Sequence, residues 1–160
     1  MSAQSSLDSC SIGALCQRNV VCVDEQEHVL AAAERMRAEH VGCLIVTEPL
    51  VGSESGRVIG ILTDRDIVVS VVARKADPSS LKVGDVMSRN PLMVAEDTSL
   101  DAALSFMQDA GVRRVAVTGE RGELIGIVSL DDVLGRIAEQ LGKVCGSIRN
   151  EIRTERLVRP

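Results

Sequence analysis

The chain has 160 residues, 45% hydrophobic and 26% charged, the composition of a folded globular protein and not of a disordered or fibrous one. It carries a net charge of −5, no Trp, no Tyr and a single Phe, Phe106. An acidic surface without stacking rings argues against a nucleic-acid partner. The absence of a long apolar run argues against a membrane span, and without a signal-peptide pattern a cytoplasmic location is expected.

In chain order, Met1 to Ser11 is Ser-rich and polar and reads as a flexible N-terminus. Short apolar runs at Val20–Val23 and Leu92–Val94 predict first strands. His28–Glu39 and Ser99–Ala110 follow, with apolar residues at helical spacing (Val29, Ala33, Met36; Leu100, Leu104, Met107) and acidic or hydroxyl residues at their starts. Second strands are predicted at Cys43–Thr47 and Arg114–Thr118, third strands at Val58–Thr63 and Leu124–Ser129, and closing helices at Asp64–Arg74 and Leu130–Leu141. Lys75–Lys82 is a polar linker, and Lys143–Leu157 predicts a further helix with Val144, Ile148 and Ile152 at four-residue spacing. Residues 143–160 carry a charge of +3 against −8 for the rest, which fits either a solvated face or a contact with an acidic surface.

The order β-α-β-β-α occurs twice because the chain repeats itself. Gly13–Thr47 laid over Gly84–Thr118, a shift of 71, gives eleven identities in 35 positions, among them Gly13/Gly84, Arg18/Arg89, Asn19/Asn90 and Glu25/Glu96. After a longer loop in the first copy the shift becomes 66, and Gly56/Gly122, Ile59/Ile125, Gly60/Gly126, Ile61/Ile127 and Asp66/Asp132 coincide. The expected organisation is a first domain over 12–74, a linker over 75–82, a second domain over 83–142 and a C-terminal helix or tail over 143–160.

Five cysteines (Cys10, Cys16, Cys22, Cys43, Cys145) are odd in number, irregularly spaced and without a C-x-x-C. Neither a disulfide framework nor a metal site is expected from them. No Ser/His/Asp set, Cys–His pair or Walker-type loop is present, so an enzyme is not expected.

The repeated element with the most chemistry is Gly60-Ile61-Leu62-Thr63-Asp64-Arg65-Asp66, matched by Gly126-Ile127-Val128-Ser129-Leu130-Asp131-Asp132. In each, a strand ends in a hydroxyl residue and an aspartate follows three positions later, where a helix starts. That pattern suits an anion with a vicinal diol: the helix start and hydroxyl face a phosphate, and the carboxylate accepts from ribose hydroxyls. It is equally the pattern of a capping box, and both readings stand at this point.

The duplicated unit with Gly-Ile-x-[Thr/Ser]-x-x-Asp at each third strand resembles a tandem pair of cystathionine-β-synthase (CBS) domains, a Bateman module, over about Ile12 to Leu141. Gly111-Val112-Arg113-Arg114-Val115 with the second motif is similar to the nucleotide-binding γ subunit of AMP-activated kinase. The resemblance implies an α/β (α+β) fold, two repeats packed sheet to sheet by pseudo-twofold symmetry, and a regulatory module binding AMP, ADP or ATP in clefts between the copies, in preference to S-adenosylmethionine. It implies that Asp66 and Asp132 take ribose hydroxyls and that Thr63 and Ser129 approach phosphate or ribose. Backbone near Val20, Val21 and Cys22, and near Pro91, Leu92 and Met93, would meet the adenine; Arg113 and Arg114 would neutralise phosphates. At the positions of Arg113 and Arg114 the first copy has Gly42 and Cys43, so the clefts differ, and Arg65 is the substitute the first motif offers. A homodimer and an unidentified protein target are expected. The alternatives are a ligand-free dimeric scaffold, for which Arg113 and Arg114 are a surface pair on a strand edge, and an S-adenosylmethionine-, metal- or redox-responsive protein.

Overall fold

The computed structural model describes residues 11–158, with side chains as far as Glu151. The expected flexible N-terminus, apart from Ser11, lies outside the described residues, as do Cys10 and the side chain of Ile152. A 3₁₀ turn at Ile12–Ala14 leads to β1 (Cys22–Val23), α1 (Val29–Glu39), β2 (Cys43–Glu48), β3 (Arg57–Thr63) and α2 (Asp64–Ile67), which runs on as a π-helical turn over Val68–Val72. Then come α3 (Val83–Val86), β4 (Ser88–Arg89), β5 (Met93–Ala95), α4 (Leu100–Ala110), β6 (Arg114–Thr118), β7 (Leu124–Ser129) and α5 (Leu130–Val158). The fold is the expected α+β pair: one sheet ordered β1-β2-β3-β4 and another ordered β5-β6-β7. The chain forms two compact units, divided between Val128 and Ser129.

Inside the first unit, the leading segment of each repeat pairs with the other repeat. Ile12 and Gly13 donate backbone bonds to Thr98 and Glu96 (2.8 and 2.9 Å), and their counterparts Val83 and Gly84 donate to Glu27 and Glu25 (both 2.9 Å). Ser88 pairs with Ile61 on β3 as Gln17 pairs with Ile127 on β7. The ion pairs Arg18–Glu96 and Arg89–Glu25 complete the exchange. Several repeat identities are thereby explained. A Cβ on Gly13 would lie 2.8 Å from the carbonyl oxygen of Glu96, and one on Gly60 would lie 2.5 Å from Met87 Sδ. One on Gly126 would lie 2.8 Å from the Gln17 carbonyl oxygen and 2.9 Å from Cys16 Sγ. The glycine of the repeated motif is there for the passage of the exchanged segment.

The core follows the same plan. Val83, Val86 and Met87, from the second copy's leading segment, are buried with Val23, Val29, Met36, Leu44, Val46 and Leu62 of the first. A second cluster joins the two sheets: Ile45, Val58, Ala116 and Leu124, flanked by Val20, Cys22, Ile61 and Ile127. It contains Ile45/Ala116, Val58/Leu124 and Ile61/Ile127 as repeat-related pairs, the packing a pseudo-twofold axis requires.

The elements differ from expectation in three places. The closing helix of the first copy is α-helical only to Ile67 and then π-helical, with the Ala73 N–H reaching Val68 O at 2.9 Å. Four β-branched residues, Val68, Val69, Val71 and Val72, crowd an α-helical turn there. The closing helix of the second copy and the further helix are one helix, which runs through Gly142 because a glycine in a helix interior costs only about 1 kcal/mol. The linker leads straight into α3 and β4, two short elements the apolar pattern did not show. Elsewhere the ends are set by caps: Ser99 Oγ accepts from Ala102 N–H at 3.2 Å, and His40 and Gly111 close α1 and α4 in the left-handed region.

Candidate functional site

Thr63 ends β3 with its side chain over the first turn of α2. Its N–H and hydroxyl donate to Asp66 Oδ2 at 2.9 and 2.6 Å, and Asp66 N–H donates to Thr63 Oγ1 at 3.2 Å. Ser129 and Asp132 make the same arrangement at the start of α5, at 2.8, 2.5 and 3.2 Å. Both motifs are therefore capping boxes. Capping does not exhaust Asp66: its two accepted bonds share Oδ2, so the cap makes no use of Oδ1.

Asp66 lines a cavity of about 620 Å³, within the range of small-molecule sites. One wall is Thr63 to Asp66; a second is the exchanged strand β4 with Asn90, Pro91 and Leu92; a third is Gly111 to Arg114, the turn from α4 into β6. Two left-handed residues shape it, Asn90 (φ 52°) and Gly111 (φ 64°). A Cβ on Gly111 would meet nothing within 4 Å, so this glycine serves the turn and not a close contact. Ile61, Leu92 and Ala116 supply an apolar floor.

The lining is cationic although the protein is acidic. Arg89, Arg113 and Arg114 join Arg65 in the lining, with Asp64 and Asp66 the two acidic groups. Arg89 is committed to Glu25 (3.2 Å) and the Gly84 carbonyl (3.3 Å). Among the described residues Arg65, Arg113 and Arg114 form no salt bridge. Asp64 is engaged locally, its Oδ1 accepting from Arg65 N–H at 2.7 Å. Opposite Thr63 on β2 sits Cys43. Burial is the main cause that pushes its thiol up to about 11, against a pull downward from Arg114. Burial also raises the Cys22 thiol.

Of the residues expected at a ligand site, Thr63, Arg65, Asp66, Pro91, Leu92, Arg113 and Arg114 come together here. Met93, 43% exposed on β5, does not line the cavity. Val20 and Cys22 line a different cavity of about 580 Å³ beside the Glu48–Gly56 loop, whose lining includes Asp24, Glu27, Glu48 and Glu54. Val21 lines none of the cavities described. Ser129 and Asp132 stand in the second unit with their cap. Arg89 and Asn90 were visible only as repeat identities with Arg18 and Asn19; their place in the wall follows from the exchange.

The family model of the CBS domain matches the chain twice, over residues 12–73 and 83–139. The uncharacterized protein MK0525 of Methanopyrus kandleri is 32% identical over 126 residues, 79% of this chain and 62% of its own length. Hypoxic response protein 1 of Mycobacterium tuberculosis is 36% identical over 120 residues, 75% of this chain and 80% of its own. Its structure with two coordinated zinc ions matches with a TM-score of 0.66 at 32% identity, covering 78% of this chain and 97% of that one. The CBS domain pair of protein MJ0100, solved with 5′-methylthioadenosine and S-adenosyl-L-methionine, matches with a TM-score of 0.70 over 82% of this chain and 98% of that one. At 18% identity that likeness speaks to the fold alone.

Proposed function

The chain belongs to the CBS-domain family as a tandem pair, and from that premise we propose that it is a sensor whose Asp66 cavity takes an adenine nucleotide, AMP, ADP or ATP. Tandem CBS pairs are regulatory ligand-binding modules; the nucleotide, the cavity and a readout by a partner protein are the proposal. The carrying observation is that one cavity holds a carboxylate with an oxygen its cap does not use, three guanidinium groups that form no salt bridge among the described residues, and an apolar floor. A ribose diol donates to Asp66, phosphates receive charge-assisted bonds from Arg113, Arg114 and Arg65, and adenine lies over Ile61, Leu92 and Ala116. The same arginines disfavour S-adenosylmethionine, whose sulfonium is positive and which brings no phosphate. Zinc belongs to the hypoxic response protein structure and enters here as a control. The reading is regulatory and not catalytic, and it includes a homodimer.

Isothermal titration with AMP, ADP, ATP, S-adenosylmethionine and zinc chloride tests it. At least one phosphate-bearing ligand should bind, and Arg114→Ala should weaken it roughly 10- to 100-fold, the loss of a hydrogen bond to a charged group. No heat with any nucleotide from folded protein, or an Arg114→Ala variant that binds as tightly as wild type, overturns the reading and favours a ligand-free scaffold.

A further inference from the structure

The helix α5 is 29 residues long and carries an apolar face: Leu134, Ile137, Leu141, Val144 and Ile148 are 62, 40, 60, 56 and 52% exposed. Their spacing is 3-4-3-4, the seam of two heptads. A surface helix buries such a face, and scattered exposure does not produce this period. From the geometry and charge of α5 we infer that this face docks on the same face of α5 in a second copy of the chain, with the two helices antiparallel.

Charge selects both the occupant and the direction. Residues 130–142 carry −2, from Asp131, Asp132 and Glu139 against Arg136, and residues 143–158 carry +2. A second copy laid parallel would set −2 against −2 and +2 against +2. Laid antiparallel about Leu141, the midpoint of the stripe, it sets the acidic half against the basic half, with Glu139 near Lys143 and the first turn near Arg149. A seam of five side chains is smaller than the roughly 800 Å² per partner of a standard interface, so the dimer should dissociate on dilution. The inference deepens the homodimer part of the proposed function and is independent of the nucleotide.

Sedimentation equilibrium of the full chain tests it, with Leu141→Glu/Ile148→Glu and Lys143→Glu/Arg149→Glu as variants. Wild type should dimerise reversibly. The first variant should be monomeric with its helix content and unfolding temperature kept, because both positions are exposed; the second should weaken the dimer most at low ionic strength. Orientation is read from spin labels at Glu151→Cys in a full-length background without other cysteines. Ten residues from the midpoint, the labels stand roughly 30 Å apart if antiparallel, at 1.5 Å per residue, and about 10 Å apart if parallel. A wild-type monomer at all concentrations overturns the homodimer together with this inference. A dimer that both variants leave intact overturns the α5 seam alone, and a short label distance overturns the antiparallel arrangement.

Discussion

Asp66 is asked to do two things, and substitution can separate them. Replacing it with Ala removes the acceptor of the Thr63 N–H and hydroxyl (2.9 and 2.6 Å). Loss of a cap costs about 1 kcal/mol, within a range of roughly 0.5–2, which lowers Tm by about 2–4 °C per kcal/mol at this size. Asp66→Asn keeps an oxygen in the cap and should lose less than half of that. Thr63→Ala removes the acceptor of Asp66 N–H (3.2 Å), so it should resemble Asp66→Ala in stability while leaving the carboxylate in place.

Nucleotide affinity should order the variants differently. Hydrogen bonds to a charged acceptor are worth roughly 1.5–3 kcal/mol, or about 10- to 150-fold in Kd. Both Asp66 variants should lose that much, and Thr63→Ala clearly less. The assay is paired: thermal unfolding of the free protein and titration of the phosphate-bearing ligand, on wild type and the three variants. If Kd simply follows Tm across the four proteins, or if Asp66→Asn binds like wild type, Asp66 is a cap and nothing more, and the assignment of the diol to it is wrong.

Two further outcomes follow from packing and burial. Gly126→Ala should destabilise by about 1–3 kcal/mol, since its Cβ meets the Gln17 carbonyl oxygen at 2.8 Å and Cys16 Sγ at 2.9 Å. Gly135→Ala, inside α5 with nothing within 4 Å, should instead stabilise by about 0.5–1 kcal/mol, and thermal unfolding of the pair checks the contrast. Cys43, pushed up to about 11 from an ordinary 9.0, holds its proton in the fold longer than in the unfolded chain, so its contribution is complete below pH 9 and is lost as pH rises toward 11. Urea unfolding across that window should show a steeper alkaline loss in wild type than in Cys43→Ala; parallel slopes would refute the burial of that thiol.

The duplication was legible because its identities hold one register over 35 positions. The exchange was not, because spacing says which residues correspond and not which copy each one meets. Gly13 is as well matched to Glu25 as to Glu96 by sequence, and only the fold chooses Glu96. The predicted break between helices at Gly142 failed for a related reason: a glycine permits the left-handed residue that often ends a helix without requiring it, and α5 runs through Gly135, Gly142 and Gly146 alike. At Thr63 and Asp66 the two readings call on the same residues at the same spacing, and only the structure shows that the cap takes Oδ2 and leaves Oδ1. The cavity adds what the motif lacked, namely that Arg113 and Arg114, nearly fifty residues away, line the same space as Asp66.

That juxtaposition bears on how a bound state could be passed on. Asp66 belongs to the first copy, Arg114 to the second, and the wall between them is β4, a piece of the second copy paired to the first copy's β3 and tied to it by Arg89 and Glu25. Neither copy alone contains the site. A ligand reaching from Asp66 to Arg114 therefore binds the paired arrangement and not either half, and it stabilises that arrangement by RT ln(1 + [L]/Kd), about 2.7 kcal/mol at a hundredfold excess over Kd. Ile61 and Ala116, which line the cavity, belong to the cluster that joins the two sheets together with Ile45, Val58 and Leu124. Because a close-packed core does not deform gradually, the proposed function has occupancy at the cavity bias the pairing of the copies as a whole, and that bias is what a partner protein would read.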